Sequence, residues 1–142
     1  MMGLRLVPAI ALVGVLAAWP SPASGPATRK AATTNVQMIG DAKGMRFEAA
    51  KITIHVGDVV TWTDAGAVPH NVAFWADSIP AKAKDKLQAS MPKTMQPLTG
   101  PMIVAANEKY SISFAGAVPG VYKYYCLPHL ALGMVGQITV QP

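Results

Sequence analysis

The sequence predicts an all-β domain in which two sheets pack face to face as a β-sandwich of seven to eight strands. Short runs rich in β-branched and aromatic residues recur along most of the chain, separated by turn-forming Gly, Pro, Asn or Asp. One run, residues 52–56, also alternates apolar and polar side chains, which is typical of a strand with one buried face. Many short strands separated by turns favour a sandwich.

The first half of the domain supplies four or five candidate strands, because residues 45–47 either continue the run 36–39 or pair with it. In chain order they are residues 36–39, 45–47, 52–56, 59–63 and 71–75. Ile52, Ile54 and Val56 share one face of the third run, and Gly57-Asp58 marks the turn after it. The last two runs are rich in β-branched or aromatic residues, which fit a pleated, half-buried surface.

A long connection over residues 76–100 is expected to hold one short helix. Ser78 is the candidate N-cap, and Pro80 suits the first turn. Residues 81–90 are helix formers, and Met91-Pro92 ends the helix. The remaining candidate strands are residues 102–105, 110–114, 121–125 and 135–140.

Residues 1–27 have the three parts of a cleaved export signal. A short basic start with Arg5 precedes an apolar run over residues 6–19, and small residues and prolines follow. The apolar run is short for a membrane-spanning helix, which needs about 20 residues, and an uncleaved anchor is the alternative. Cleavage after Ala23 and after Ala27 fits equally well.

These boundaries leave a flexible leader over residues 28–35 and one domain over residues 36–142. We expect export to a bacterial periplasm, with a thylakoid lumen as the alternative, and no stable membrane insertion after the signal is removed. The net charge is +5 and charged residues make up only 13% of the chain. We expect no nucleic-acid partner, and no Ser–His–Asp order, phosphate loop or paired carboxylates stand out. The acidic residues near turn signals are interpreted as turn or surface residues; they are Asp41, Asp58, Asp64 and Glu108.

The single cysteine, Cys126, lies in the most informative stretch of the chain. A lone cysteine cannot form an internal disulfide, so it is either an inert buried residue or a functional thiolate. His129 and Met134 follow it between two candidate strands, and His70 offers a second imidazole at a strand start. One thiolate, two imidazoles and a weak axial thioether are the donors of a blue-copper electron-transfer site. The sequence therefore predicts one copper ion.

The stretch Tyr125-Cys126-x-Pro128-His129-x-x-x-Gly133-Met134-Val135-Gly136 resembles the ligand loop of plastocyanins, within the cupredoxin (type 1 blue copper) family. Pseudoazurins share the same spacing. Residues 47–62 and the run Pro69-His70-Asn71-Val72 are also similar to the first half of cupredoxins. The resemblance covers residues 36–140, is weakest over residues 76–100, and implies a Greek-key β-sandwich.

The resemblance also implies a role for each site residue. The copper ligands would be His70, Cys126, His129 and Met134. His129 would present its ring edge at the surface, and Met134 would be the weak axial ligand. Asn71 would tie the His70 loop to the Cys126 loop, since such partners orient ligands and tune the metal. Pro128 would stiffen the loop and remove an N–H donor near the copper.

Apolar residues near His129 are expected to form a docking surface for redox proteins. These residues are Val68, Pro69, Leu127, Leu130 and Leu132. Tyr125 resembles the tyrosine at a second electron-entry surface of plastocyanins. The plant acidic patches are absent, and lysines gather instead over residues 82–93. This run is either an ordinary solvated face or a surface that steers a partner with an acidic face. The basic balance looks more like that of pseudoazurins.

Three functions fit these features: an electron carrier, a copper-delivery or storage protein, and a copper enzyme. The enzyme is disfavoured because a catalytic copper centre needs further histidines, and only His55 remains, on the polar side of its strand. The other methionines are scattered and are interpreted as core or loop filling. We therefore predict a monomeric, non-enzymatic carrier that shuttles single electrons by Cu(I)/Cu(II) cycling, with copper delivery or storage as the alternative.

Overall fold

The computed structural model describes residues 29–66 and 68–142, so the predicted export signal lies outside the described residues. In chain order the strands are β1 (Thr33–Asp41), β2 (Gly44–Glu48), β3 (Lys51–His55), β4 (Val59–Asp64), β5 (Ala73–Phe74), β6 (Lys109–Ser113), β7 (Gly120–Tyr125) and β8 (Val135–Gln141). They form two four-stranded sheets that pack as a sandwich. The predicted β-sandwich of seven to eight strands is confirmed.

The first sheet has the order β2-β1-β4-β6. Strand β1 pairs with β2 in antiparallel fashion and with β4 in parallel, and β4 pairs with β6 in antiparallel fashion. Val36 and Met38 alternate along β1 and are fully buried, as are Val60 and Trp62 along β4. Residues two apart on a strand point to the same face, so these side chains form one wall of the core.

The second sheet has the order β3-β8-β7-β5. Strand β8 lies in its interior, parallel to β3 and antiparallel to β7. The short strand β5 pairs with β7 only through Ala73 and Phe74. Tyr122 and Tyr124 of β7 face the core, while Lys123 between them is exposed. This sheet carries the end of β7 and the start of β8 to one edge of the sandwich.

An aromatic cluster fills the core behind that edge. The ring centroid of Tyr124 lies 4.7 Å from that of Phe47, 5.4 Å from that of Trp62 and 5.8 Å from that of Phe74. Gly136 pairs with Tyr124 across the sheet, and a Cβ atom there would lie 2.2 Å from Tyr124 Cζ. Burial raises the pKa of Tyr124 to about 12. The glycine thus makes room for the largest side chain of this strand pair.

The N-terminal edge differs from the prediction, because β1 begins at Thr33 and the expected flexible leader over residues 28–35 is too long. Asp58 holds the residues just before β1 in place. One carboxylate oxygen accepts a hydrogen bond from the Ala32 amide at 2.8 Å, and the other accepts one from the His55 amide at 2.9 Å. Arg29 also forms an ion pair with Asp58. These amides lower the pKa of Asp58 to about 2. The residue follows the turn at residues 56–57, as its sequence position indicated, but its side chain is buried.

The connection over residues 76–100 contains the predicted short helix, α1 (Lys84–Ser90). Ser78 is not its N-cap, since Ala83 holds that position and makes no side-chain cap. The Ser78 carbonyl instead accepts a hydrogen bond from the Lys123 amide at 3.0 Å, which fixes the connection to β7. Across residues 29–66 and 68–142, no helix is long and apolar enough to span a membrane.

Candidate metal centre

Two loops at one end of the sandwich bring the predicted site residues together. His70 lies between β4 and β5, and its amide and carbonyl bond to Ile103 at 2.9 and 2.8 Å. This single bridge replaces the strand predicted over residues 102–105. Cys126 directly follows β7, and Met134 directly precedes β8. The sheet therefore sets the positions of both ends of the Cys126 loop.

Three donor atoms converge at this end. His70 Nδ1 lies 3.7 Å from Cys126 Sγ, and His129 Nδ1 lies 3.4 Å from the same sulfur. The two Nδ1 atoms are 3.2 Å apart, and all three donors lie within 4.8 Å of one another. His70 and Cys126 are completely buried, whereas His129 is half-buried. One ion can therefore be held by all three side chains.

The chain from Cys126 to Met134 is a closed loop. The Cys126 amide donates to the Met134 carbonyl at 3.0 Å, and the Met134 amide donates to the His129 carbonyl at 3.3 Å. Tight turns over Leu127–Leu132 carry the loop outward, and Gly133 reverses it with a left-handed φ of 79°. Pro128 lies at the start of these turns, where it lacks an N–H to satisfy. Met134 is completely buried.

Asn71 connects the two loops. Its Oδ1 accepts a hydrogen bond from the Leu127 amide at 2.7 Å, and its Nδ2 donates a longer one to the Gly100 carbonyl at 3.4 Å. The side chain is fully buried, so neither group has water as an alternative partner. Asn71 directly follows His70, and Leu127 directly follows Cys126. The hydrogen bond between them therefore ties the His70 loop to the Cys126 loop.

Burial favours the uncharged forms of the donors when no metal is bound. It lowers the pKa of His70, and the charge of His129 acts in the same direction. Burial also raises the pKa of the Cys126 thiol, although the backbone amides of Asn71 and His129 oppose this. A metal that binds here must displace the thiol proton, so binding releases a proton.

Most of the predicted docking residues are exposed, and they flank the ligands His70 and His129 in the chain. Leu127, Leu130 and Leu132 are 46%, 37% and 65% exposed. Pro69 is also exposed, and Val68 is half-buried. This end of the sandwich thus presents apolar side chains around a half-buried imidazole.

Tyr125 has a neighbour that the sequence interpretation missed. The rings of Trp75 and Tyr125 stack with centroids 4.4 Å apart and an interplanar angle of 32°. The pairing of Ala73 with Tyr125 across β5 and β7 brings Trp75 to this position. Only knowledge of that strand pairing connects two aromatics so far apart in the chain.

Asp64 was also misread, as a turn or surface residue. It ends β4 and is fully buried. The alternation of Val60, Trp62 and Asp64 carries the signal that it points inward. His55 was read as exposed and is half-buried; it ends β3 opposite Gln141, far from the start of β8 where the site lies.

The lysines over residues 82–93 all lie at the surface around α1. They are Lys82, Lys84, Lys86 and Lys93. The ion pairs found within residues 29–66 and 68–142 join Arg29 to Asp58 and Arg46 to Asp41, so these lysines form none there. Their charges are open to a partner.

The donor set fits a copper ion. Thiolate sulfur selects soft or borderline metals, imidazole nitrogen suits copper, and two imidazoles with one thiolate beside a methionine match a type 1 site. A β-sandwich with this set at one end defines the cupredoxin class of copper proteins. His70, Cys126 and His129, with Met134 beside them, form its candidate type 1 copper site.

Comparison with known proteins agrees with this class. A profile of copper-binding proteins of the plastocyanin/azurin family matches residues 34–141, and the chain belongs to this family. It is 37% identical over 108 residues to the chloroplastic plastocyanin of Tetradesmus obliquus, covering 75% of this chain and 66% of that one. It is 37% identical over 105 residues to the plastocyanin of Nostoc punctiforme, covering 72% and 70%.

Solved structures show the same fold. The oxidised plastocyanin of the fern Dryopteris crassirhizoma superposes with a TM-score of 0.58 at 27% identity, covering 76% of this chain and all of that one. A pseudoazurin from Sinorhizobium superposes with a TM-score of 0.54 at 31% identity, covering 78% and 75%. The resemblance inferred from the ligand loop and the predicted cupredoxin fold are both confirmed.

Proposed function

We propose that this chain is an exported type 1 copper protein that carries single electrons between redox partners. The observation that carries the proposal is the convergence of His70 Nδ1, Cys126 Sγ and His129 Nδ1 within 4.8 Å. Met134, fully buried next to the start of β8, would complete the proposed ligand set with its thioether sulfur. Copper, when bound, supplies a one-electron Cu(I)/Cu(II) couple.

In the proposed function, the protein holds the metal donors in a rigid arrangement. The loop closed by Cys126 and Met134 and the Asn71 bridge hold the donors before any metal arrives. Donors held in this way need not rearrange when the charge of the ion changes, which favours rapid electron transfer. Asn71 and Pro128 act on the geometry of the site rather than as ligands.

The apolar surface around His129 is the proposed docking site. Its members are Val68, Pro69, Leu127, Leu130 and Leu132. An exposed apolar patch commonly marks an interaction site, and small interfaces suit brief encounters between electron carriers. A monomer with a half-buried ligand ring at the centre of this patch can exchange electrons over a short distance.

A second electron-entry surface is proposed at Tyr125, which precedes the ligand Cys126 and stacks on Trp75. The groove beside this pair is lined by Lys51 and Lys123 among other residues. Together with the lysines around α1, they favour a partner with an acidic face.

We propose that the chain is not an enzyme. His70 and His129 are committed to the copper site, and His55 lies toward the other end of the sandwich. No further imidazole is left to build a catalytic copper centre, since the chain has three histidines. Copper delivery or storage remains the competing function that the experiment below separates.

The same proposal includes export. Residues 1–27 would be removed as a signal, with cleavage near residues 23–27, to leave the copper domain in a periplasm or, as the alternative, in a thylakoid lumen. Intact-mass measurement of protein recovered from the exported fraction locates the cut. Recovery of the full-length chain would contradict cleavage.

Copper titration of the metal-free protein tests the function. Adding one equivalent of Cu(II) should give an intense blue band at roughly 600 nm and a reversible one-electron couple. Cys126→Ser should abolish the band, Met134→Gln should keep copper but shift the potential, and the matched control His55→Gln should change neither. A colourless protein that releases Cu(I) to a chelator would contradict electron transfer and favour delivery.

A further inference from the structure

Two fully buried polar atoms near the metal centre have no hydrogen-bond partner among the described residues. One is Nε2 of His70, and the other is Oδ2 of Asp64. Both residues have no exposed surface. A buried polar group without a partner destabilises the folded state, so two in one region require an explanation.

The two atoms have opposite hydrogen-bonding needs. His70 directs Nδ1 toward Cys126 and His129, and a neutral imidazole that binds a metal through Nδ1 carries its proton on Nε2. That Nε2–H is a donor without an acceptor. The Oδ1 of Asp64 already accepts from the Gly66 amide at 2.9 Å, so Oδ2 is an acceptor without a donor.

One turn of the chain holds both residues from the same side. The amide and carbonyl of His70 bond to Ile103, at the start of this turn. The Asp64 amide donates to the Glu108 carbonyl at 2.9 Å, and the Asn107 amide donates to the Asp64 carbonyl at 2.7 Å. The short segment 103–108 is therefore hydrogen-bonded to the backbones of both Asp64 and His70.

The turn is itself closed by a side chain. The Glu108 carboxylate accepts hydrogen bonds from the amides of Val104 and Ala105 at 3.0 and 3.1 Å. Asp64 continues the inward face of Val60 and Trp62 on β4, toward the end where the metal centre lies. Its negative charge also acts on His70, raising the pKa of the imidazole against the larger lowering by burial.

We propose that Asp64 is a positioning residue for His70, its Oδ2 linked to Nε2–H of His70 by one buried water that accepts from the ring and donates to the carboxylate. The inference rests on the proposed role of His70 as a copper ligand. The bond fixes the tautomer and ring orientation of His70, as carboxylate–histidine pairs do at metal sites. The nearby negative charge stabilises the more positive Cu(II) state relative to Cu(I).

The test compares Asp64→Asn with the matched control Asp58→Asn. Asp58 is the other buried carboxylate of the described residues and directly precedes β4, at the end of the strand opposite Asp64. In Asp64→Asn, the side-chain oxygen can still accept from the Gly66 amide. The NH₂ group then takes the place of Oδ2, so an acceptor on the His70 side is replaced by a donor. We expect roughly 10- to 100-fold weaker Cu(II) binding in this variant and unchanged binding in the control.

The reduction potential gives a second expectation. If only Cu(II) binding weakens, the potential of Asp64→Asn rises by about 59 mV for each tenfold loss. A potential and a Cu(II) affinity equal to those of Asp58→Asn would overturn the inference. If the parent protein itself forms no blue copper site, the proposed function fails. If the parent forms the site and Asp64→Asn behaves like the control, only the role of Asp64 fails.

Nitrogen-15 NMR of the zinc-loaded parent protein keeps the inference testable if Asp64→Asn does not fold. The Nε2–H of His70 should be visible and exchange slowly with water, whereas that of the half-buried His129 should exchange fast. Equal exchange of the two ring protons would overturn the inference.

Discussion

Replacing Asn71 with alanine tests how strongly the two ligand loops depend on one side chain. The variant leaves the part-buried Leu127 amide without its partner at 2.7 Å. An unsatisfied buried amide costs about 1–3 kcal/mol, and the small cavity adds a few tenths to about 1 kcal/mol. The bond to Gly100, at 3.4 Å, is long and contributes little. We expect a total loss of about 2–3 kcal/mol.

For a domain of this size the loss corresponds to a midpoint of thermal unfolding lower by roughly 10 °C. Denaturant unfolding of the metal-free protein measures the free energy directly, without a contribution from bound metal. Asn35→Ala is the matched control, because Asn35 is exposed on β1 and should change stability by less than about 0.5 kcal/mol. A loss in Asn71→Ala no larger than that of the control would refute the reasoning.

Three further predictions concern the core, acid stability and docking. Gly136→Ala should lower the free energy of unfolding in urea by about 1–3 kcal/mol, because the new Cβ would overlap the Tyr124 ring. The control Gly66→Ala has open space around its Cβ and should be nearly neutral. The pKa of Asp58 is lowered to about 2 in the folded state, so its ionised carboxylate stabilises the fold above about pH 4, and this stabilisation is lost as the pH falls toward 2. The free energy of unfolding in urea should therefore fall between about pH 5 and 2. Asp58→Asn should make that fall smaller. Leu132→Asp should keep the blue band but slow electron self-exchange roughly tenfold, because two negative charges would meet when the apolar surfaces of two molecules dock. NMR line broadening measures the rate. An unchanged rate would count against docking at this surface.

The metal centre was predictable because its chemistry is concentrated in a short stretch. Cys126, His129 and Met134 fall within nine residues between two clear strands. The strands were equally visible where local pattern decides them, as in the alternation along β3. The short helix was expected in the right connection, since residues 84–90 are helix formers whatever surrounds them.

The features that were missed depend on contacts between distant segments. The start of β1 is set by its parallel pairing with β4, where Thr33 lies opposite Val59. Ser78 has the side chain of an N-cap, but its carbonyl is engaged by Lys123 in β7. Asp64 looked like a turn residue because acidic side chains are rarely buried without a partner. Tertiary pairing decided each case, and no local pattern reports it.

The central position of β8 has a consequence for how the protein is made. This strand, the last in the described chain, completes the hydrogen bonding of both β3 and β7, and its first residues close the loop that begins at Cys126. A growing chain therefore lacks the middle of one sheet until residue 141 has left the ribosome. Such distant pairings form slowly, so newly made molecules pass through a period without a folded sandwich. During that time the chain also lacks a complete set of metal donors, because the loop from Cys126 to Met134 closes only when β8 is in place.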